Sequence, residues 1–275
     1  MSHAIGISGS VIMSDPSKYT ELFLDYIEHI EIGEFQDEEA FQSFLEAKES
    51  RKMTFGLHSP LYRNQSKYDL LEKVHYDPER AWKQFEEEVK RMAELNAAYI
   101  LVHFPYFKEQ GEGSYFKQIK AGLEKLATLQ EKYNLPIICE PKLGFNRSSV
   151  GIEALHQFPF EEWRKYNVKL CIDIGDYLMA VGDRALHYIS KWREFIKVVH
   201  LHNVEFHAYK YIWAPVHPSH EEDDTHFKVR EIITTLIASK GIFFVFEHTP
   251  HSKPTKRFVE EGIEWVRNLI KQESS

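Results

Sequence analysis

Several short apolar runs in this chain end in a side chain that can hold a metal ion or move a proton. His58 ends Thr-Phe-Gly-Leu, and His103 ends Ile-Leu-Val. Glu140 closes Ile-Ile-Cys, Asp173 closes Leu-Cys-Ile, His202 closes Val-Val-His-Leu, and Glu247 closes Phe-Phe-Val-Phe. A lone polar residue after an apolar run is an ordinary loop residue. Six in one chain are harder to read that way. Buried carboxylates gathered at one place would cost several kcal/mol unless a cation or a base compensated them. Acids and imidazoles without a thiolate form a hard oxygen and nitrogen set suited to Mn²⁺, Mg²⁺, Co²⁺ or Zn²⁺. Glu140, Asp173, His202 and Glu247 are the expected ligands, and His58 and His103 are expected to bind a second ion or substrate hydroxyls. By the period of two, Lys142 shares the facing of Glu140, Cys171 shares that of Asp173, and Cys139 faces the other way. Neither thiol is read as a nucleophile. His200 is expected to be a satisfied core histidine one layer below His202.

Scattered residues make one site only if the fold gathers them. Eight apolar runs alternate with eight amphipathic stretches, the pattern of repeated βα units. The runs are Ala4 to Ile7, His29 to Ile32, Met53 to Leu57, Tyr99 to Val102, Pro136 to Cys139, Val168 to Ile172, Ile196 to Leu201 and Ile242 to Phe246. The helical stretches are Ser17 to Glu28, Asp37 to Lys48, Asp77 to Leu95, Ser114 to Tyr133, Gly151 to Tyr166, Asp183 to Trp192, His226 to Ser239 and Thr255 to Gln272. Asp77-Pro78 is a helix start, while Leu135-Pro136 and Lys240-Gly241 are stops. Eight and eight predict a single (β/α)8 TIM barrel over residues 1–275, whose C-terminal strand ends open on one face. Residues 59–74 and 203–225 follow strands without a clear assignment, where such barrels place working loops. A doubly wound sheet is disfavoured, because Gly6-Ile7-Ser8-Gly9-Ser10 lacks the phosphate-turn spacing.

The chain has 275 residues, 43% of them hydrophobic, and a formal charge of −8. No excess of Lys or Arg is available to neutralise a phosphate backbone, so nucleic acid is a disfavoured partner. No leader-like or bilayer-length apolar run stands in the sequence, and the two cysteines form no framework. The expectation is a cytoplasmic protein. Phe104, Tyr106, Phe107, Tyr115 and Phe116 crowd one loop, and Tyr209, Tyr211 and Trp213 another. They could wall a sugar pocket, pack the loops, or form a contact in a homo-oligomer.

In these motifs the sequence resembles the xylose isomerase-like barrels, which include endonuclease IV and sugar isomerases and epimerases. Glu140-Pro141-Lys142 is similar to the E-P-K run of xylose isomerases, whose Lys polarises the substrate carbonyl. Val199-His200-Leu201-His202-Asn203 is similar to the H-x-H-D/N signature of the epimerases. His58-Ser59-Pro60-Leu61 and His103-Phe104-Pro105 resemble histidine motifs of endonuclease IV. The resemblance implies a metal held after strands five to eight, by Glu140, Asp173, His202 and Glu247. Two departures count against a complete three-zinc cluster. Asp176 stands where endonuclease IV has the His of D-x-x-H, and Pro215-Val216-His217 lacks the Asp of D-x-H, although Asp224-Thr225-His226 offers a displaced version. Asp176 and His217 are thus further candidates for a second ion or for substrate.

The implied activity is isomerisation or epimerisation of a small sugar, sugar phosphate or polyol-like hydroxy-carbonyl compound through an enediolate stabilised by the cation. Glu140 and Glu247 would be ligands and would also move the proton. Lys142 would polarise the carbonyl, with Asn203 and Arg147 as substrate contacts. A hydride shift would use the same residues. The rival readings are an endonuclease IV-like phosphodiester hydrolase and a non-catalytic sugar-binding barrel.

Overall fold

The alternation of apolar runs and amphipathic stretches is realised as a closed parallel barrel in a computed structural model, which describes residues 2–109, 115–207 and 210–273. The barrel strands are β1 (Ala4–Ser8), β2 (His29–Ile32), β3 (Thr54–His58), β4 (Ile100–His103), β5 (Ile137–Glu140), β6 (Lys169–Asp173), β7 (Ile196–Leu201) and β10 (Phe243–Phe246). They run in the ring order β1-β10-β7-β6-β5-β4-β3-β2. With helices between the strands, this is the (β/α)8 fold expected. His58, His103, Glu140 and Asp173 are the last residues of their strands, and His202 and Glu247 are the first residues after theirs.

The packing divides into two units. One holds residues 1–32, 38–53 and 172–275. In it β1 pairs with β2 and with β10, and β10 pairs with β7. Its helices are α1 (Glu38–Glu49), α6 (Ile174–Val181), α7 (Ala185–Trp192), α8 (Arg230–Ile237) and α9 (Lys256–Glu273). The other unit holds residues 33–37 and 54–171, where β3, β4, β5 and the start of β6 pair in sequence. Its helices are α2 (Pro78–Glu94), α3 (Tyr115–Tyr133), α4 (Val150–Gln157) and α5 (Phe160–Arg164). α2 buries Ala81, Phe85, Val89 and Met92, a stripe at helical spacing that covers the sheet.

Four element expectations change. The stretch from Ser17 is a 3-10 segment, Pro16–Leu22, and is not helical as far as Glu28. Its buried residues, Tyr19 and Leu22, are three apart, which suits the tighter turn. The helix read over residues 151–166 is two helices, because Pro159 has no N–H to donate and breaks the ladder. α6 was not expected: it begins immediately after Asp173, whose side chain accepts a hydrogen bond from Asp176 N and caps it. Within residues 203–225 lies an antiparallel hairpin of β8 (Asn203–His207) and β9 (Lys210–Ala214). Asp77 does precede α2, but its carboxylate pairs with Lys73 at 3.0 Å and makes no capping hydrogen bond.

Candidate metal centre

In the second unit, the ends of β3, β4 and β5 bring His58, His103 and Glu140 together, with one ligand atom from each within 4.8 Å of the others. His103 Nε2 and His58 Nε2 lie 3.2 and 3.4 Å from the same carboxylate oxygen, Glu140 Oε2. The other oxygen, Oε1, accepts a hydrogen bond from Lys142 Nζ at 3.0 Å. Glu140 is fully buried. The supports are local. Gly33 leaves room for the β3 end, since a Cβ there would lie 1.8 Å from His58 O. Glu88 on α2 accepts hydrogen bonds from Ser59 Oγ and Leu61 N, fixing the chain that leaves His58. Burial pushes Glu88 up to about 7, against the pull of its donors. Burial also takes His103 well below the usual imidazole value despite the Glu140 carboxylate, so its ring is neutral and able to ligate. Tyr68 stacks on the His103 ring at 4.9 Å.

In the first unit, Asp173, His200 and Glu247 each offer a ligand atom within 4.8 Å of the others. His202 Nε2 lies 2.7 Å from Asp173 Oδ1. Burial opposes a proton on His202, but the carboxylates of Asp173, Glu247 and Asp176 raise its affinity for one above the usual value. Gly175, in the first turn of α6, makes space for that ring. Trp213 on β9 sets its ring 5.5 Å from the His202 ring, and its carbonyl accepts from Thr249 N, tying the hairpin to the chain after Glu247.

The donors in both units suit a divalent ion. His58 Nδ1 lies 3.3 Å from Ser59 O, and His202 Nδ1 lies 3.2 Å from Asn203 O. An N–H donated to a carbonyl there leaves Nε2 bare, which is the ligating tautomer. The buried His202 Nε2 is 2.7 Å from its carboxylate without hydrogen-bond alignment, and the approaches to Glu140 Oε2 are likewise unaligned. A contact this close needs a proton or a shared cation between the two atoms.

Other expected residues have other work. Asn203 is buried, and its amide is fully used. Oδ1 accepts from Val204 N and Phe227 N, while Nδ2 donates to Phe227 O and faces His220 Nδ1. That amide holds the loop and has no capacity left for substrate. His217 pairs with Glu261 at 3.3 Å and stacks on Phe258, so it braces α9. The displaced Asp224-x-His226 pair does not form. His226 instead bonds Asp223, at 2.7 Å, and stacks on His220. Arg147 is exposed in a left-handed turn. Asp176 is buried in the first turn of α6. Both cysteines are buried and stand outside any disulfide, and burial holds the Cys139 thiol well above its ordinary value. Of the aromatics, Phe104, Tyr106 and Phe107 are buried packing residues; Tyr209 lies outside the described residues. His200, expected to be a satisfied core histidine, has its Nε2 2.7 Å from Glu31 Oε1 and its Nδ1 2.8 Å from Glu247 Oε2, and it stands in the ligand group with Asp173 and Glu247 in place of His202. Glu31, inside β2, had no signal in the sequence beyond a charge in an apolar run.

The sequence profile of the xylose isomerase-like TIM barrels matches residues 20–269. The chain belongs to this family. Among solved structures, this xylose isomerase-like barrel is similar to a D-tagatose 3-epimerase-like protein, with 12% identity, coverage of 99% and 100% of the two chains and a TM-score of 0.67. It is similar to 3-keto-D-glucoside 4-epimerase YcjR from E. coli, at 11% identity, 97% and 99% coverage and a TM-score of 0.66. A xylose isomerase-like TIM barrel protein from Mycobacterium smegmatis in complex with magnesium shares 11% identity over 94% and 88% of the chains, with a TM-score of 0.61. Among curated proteins, no sequence matches this barrel. Identities this low speak to the fold. Among the described residues, no helix is long and apolar enough to cross a membrane.

Proposed function

We propose that this barrel is a divalent-metal-dependent epimerase or isomerase of a small sugar, sugar phosphate or polyol-like hydroxy-carbonyl compound. One observation carries the reading: at the strand ends, buried carboxylates stand 2.7 to 3.4 Å from imidazole nitrogens, an acid and imidazole set that suits a divalent ion. Glu140, Asp173, His202 and Glu247 are the proposed ligands, and Mn²⁺, Mg²⁺, Co²⁺ and Zn²⁺ all suit them. The printed descriptions of two structural relatives, both epimerases of sugars or epimerase-like, support the substrate class.

When bound, the cation polarises the neighbouring carbonyl and hydroxyl oxygens of the substrate. The chain's own residues do the rest. Lys142 holds Glu140 Oε1 and presents an ammonium beside it, placed to stabilise negative charge growing on the substrate oxygen. Glu140, fully buried, and Glu247, part-buried, take the proton from carbon and return it. Tyr68 and Trp213 offer ring faces beside His103 and His202.

Elemental analysis of the purified protein and of Glu140→Gln and His202→Ala tests the site, with stoichiometric metal expected in the first and loss in both variants. Incubation with candidate ketoses in deuterated water tests the chemistry, and deuterium at the carbon beside the carbonyl is expected. Metal retained by both variants would refute the ligand assignment.

One feature favours a second reading. His58, His103 and Glu140 form a ligand group by themselves, as a phosphodiester hydrolase with more than one zinc would need. Cleavage of abasic-site DNA by the zinc-loaded protein would support that reading over the first.

A further inference from the structure

In the second unit, an ion pair stands beside the His58, His103 and Glu140 group and has no part in the chemistry proposed above. Lys67 Nζ meets Glu34 Oε1, with side-chain exposures of 31% and 39%. A pair this open to water adds little to stability. Yet Glu34 has a φ of 51°, in the left-handed region that glycine enters without strain and glutamate does not. Both residues are held from the backbone outward. Glu34 N donates to Pro60 O and Phe35 N to Leu61 O, while Arg63 Nε donates to Glu34 O. Lys67 is flanked by Ser66, whose hydroxyl donates to Asp69, and by Tyr68, whose ring packs on His103 at 4.9 Å and on Tyr106 at 4.5 Å. The chain on either side of the ammonium is thus fixed.

The pair faces the ends of β3, β4 and β5. Burial opposes the charge on Glu34, but Lys67, His58 and Arg63 hold its carboxyl below the ordinary range. Lys67 in turn acts on His103 and meets the charge of Lys142. Among the described residues, Glu34 is the one acceptor on the Lys67 ammonium, which has three N–H groups to give, and Glu34 Oε2 takes no hydrogen bond. Donors and an acceptor therefore stand side by side at the rim of the ligand group. A hydroxyl, which gives one hydrogen bond and takes another, matches that set. A phosphate, which only takes, does not. Each of the two ammoniums here already faces a carboxylate, Lys67 with Glu34 and Lys142 with Glu140.

We propose that Glu34 and Lys67 bind a hydroxyl of the substrate and select an unphosphorylated sugar over its phosphate ester. This rests on the reading of the barrel as an isomerase or epimerase of a hydroxy-carbonyl compound, and it narrows that class to the uncharged members. Lys67 donates to the hydroxyl oxygen and Glu34 accepts the hydroxyl hydrogen. A phosphate at the same point would set its charge against the Glu34 carboxylate, a repulsive element of the kind that specificity needs beside the attractive one. Neither residue touches the carbon that exchanges its proton.

The test is turnover of a panel of ketotetroses, ketopentoses, ketohexoses and their terminal phosphate esters in deuterated water, read by NMR as deuterium taken up and as isomer formed. The proteins are metal-loaded wild type, Glu34→Gln and Lys67→Met. Wild type is expected to favour the free ketose over its ester by about tenfold or more in kcat/KM. Lys67→Met is expected to raise KM for the free ketose by about tenfold or more while kcat moves by less, as for lost ground-state binding. Glu34→Gln removes the repelling charge and leaves the ammonium unmatched. Its ratio of ester to free ketose in kcat/KM is therefore expected to rise by about tenfold, a gain that loss of a structural brace would not produce. A wild type that prefers the esters or uses both alike, a ratio unchanged by Glu34→Gln, or a KM unchanged by Lys67→Met would each overturn the proposal and leave the isomerase reading standing. Turnover of no member of the panel by wild type would remove that reading, and this proposal with it. If neither variant folds, the wild-type preference between free ketose and ester decides.

Discussion

A Cβ added to Gly175 would lie 2.1 Å from Cε1 of His202, so the first turn of α6 and the imidazole after β7 occupy adjoining space that only glycine permits. Asp173, two residues before that glycine, caps the same helix and stands 2.7 Å from the same ring. Gly175→Ala is therefore expected to displace His202 away from Asp173. The variant should lose most of its bound metal on elemental analysis while keeping its barrel by circular dichroism. Full metal content in a folded variant would contradict the assignment of His202.

Lys142 is the cation nearest Glu140. Lys142→Met retains the length of the side chain and removes the charge. Turnover is expected to fall by about a hundredfold or more, with metal content retained, as for loss of one donor to a developing oxyanion. Deuterium incorporation into substrate measures it, and wild-type exchange would exclude Lys142 from the chemistry.

Glu88 and His29 give opposite pH dependences of stability. Burial raises Glu88 from 4.5 to about 7. The folded state then binds the proton more tightly than the unfolded chain does. The stability Glu88 confers is present below pH 4.5 and is lost as pH rises through about 7. Glu88→Gln should lack this decline, seen as a urea midpoint that falls less between pH 5 and about 7.5 than in wild type.

Burial lowers His29 from 6.5 to about 4, with Glu31 opposing. Here the unfolded chain binds the proton more tightly, so stability is present above pH 6.5 and is lost as pH falls towards 4. The slope from one such group is about 1.4 kcal/mol per pH unit. His29→Asn, which does not titrate in this range, should flatten the acid limb of the same urea series. An unchanged limb would mean that His29 is protonated in the fold.

Asp69 closes the loop that carries Tyr68. Its Oδ1 accepts from the backbone N–H groups of Val74, His75 and Tyr76, and Oδ2 accepts from Ser66 Oγ. Although burial pushes the other way, these donors hold the carboxyl below its usual value. Asp69→Ala should cost about 1 to 3 kcal/mol in urea unfolding, because three part-buried N–H groups lose their acceptor. Proteolysis within residues 63–76 should also accelerate.

The strand ends were legible because the change from apolar run to polar residue marks where a barrel interior meets its mouth. His58, His103, Glu140 and Asp173 end strands for that reason. Glu31 was not legible: it sits in the middle of His-Ile-Glu-Ile, and only the register of β2, β1, β10 and β7 supplies its partner. Gly175 was equally silent, since its role is the volume of a ring 27 positions later. Asn203 was read as facing substrate from its place after His202, but four hydrogen-bonding groups from a distant stretch of loop and its neighbour claim the amide. Local pattern reveals where a side chain starts and says little about what long-range packing will set against it.

The pairing of β1 with β10 has a consequence for synthesis. Ala4 to Ile7 find their outer partners only in Phe243 to Phe246, near the opposite terminus. Until the ribosome has released that last strand, the first is an open edge whose amides and carbonyls invite a foreign strand. Assembly must then await contacts of very long sequence separation, which makes it slow. A stop codon just before residue 243 would leave seven of the eight barrel strands and two unpaired edges.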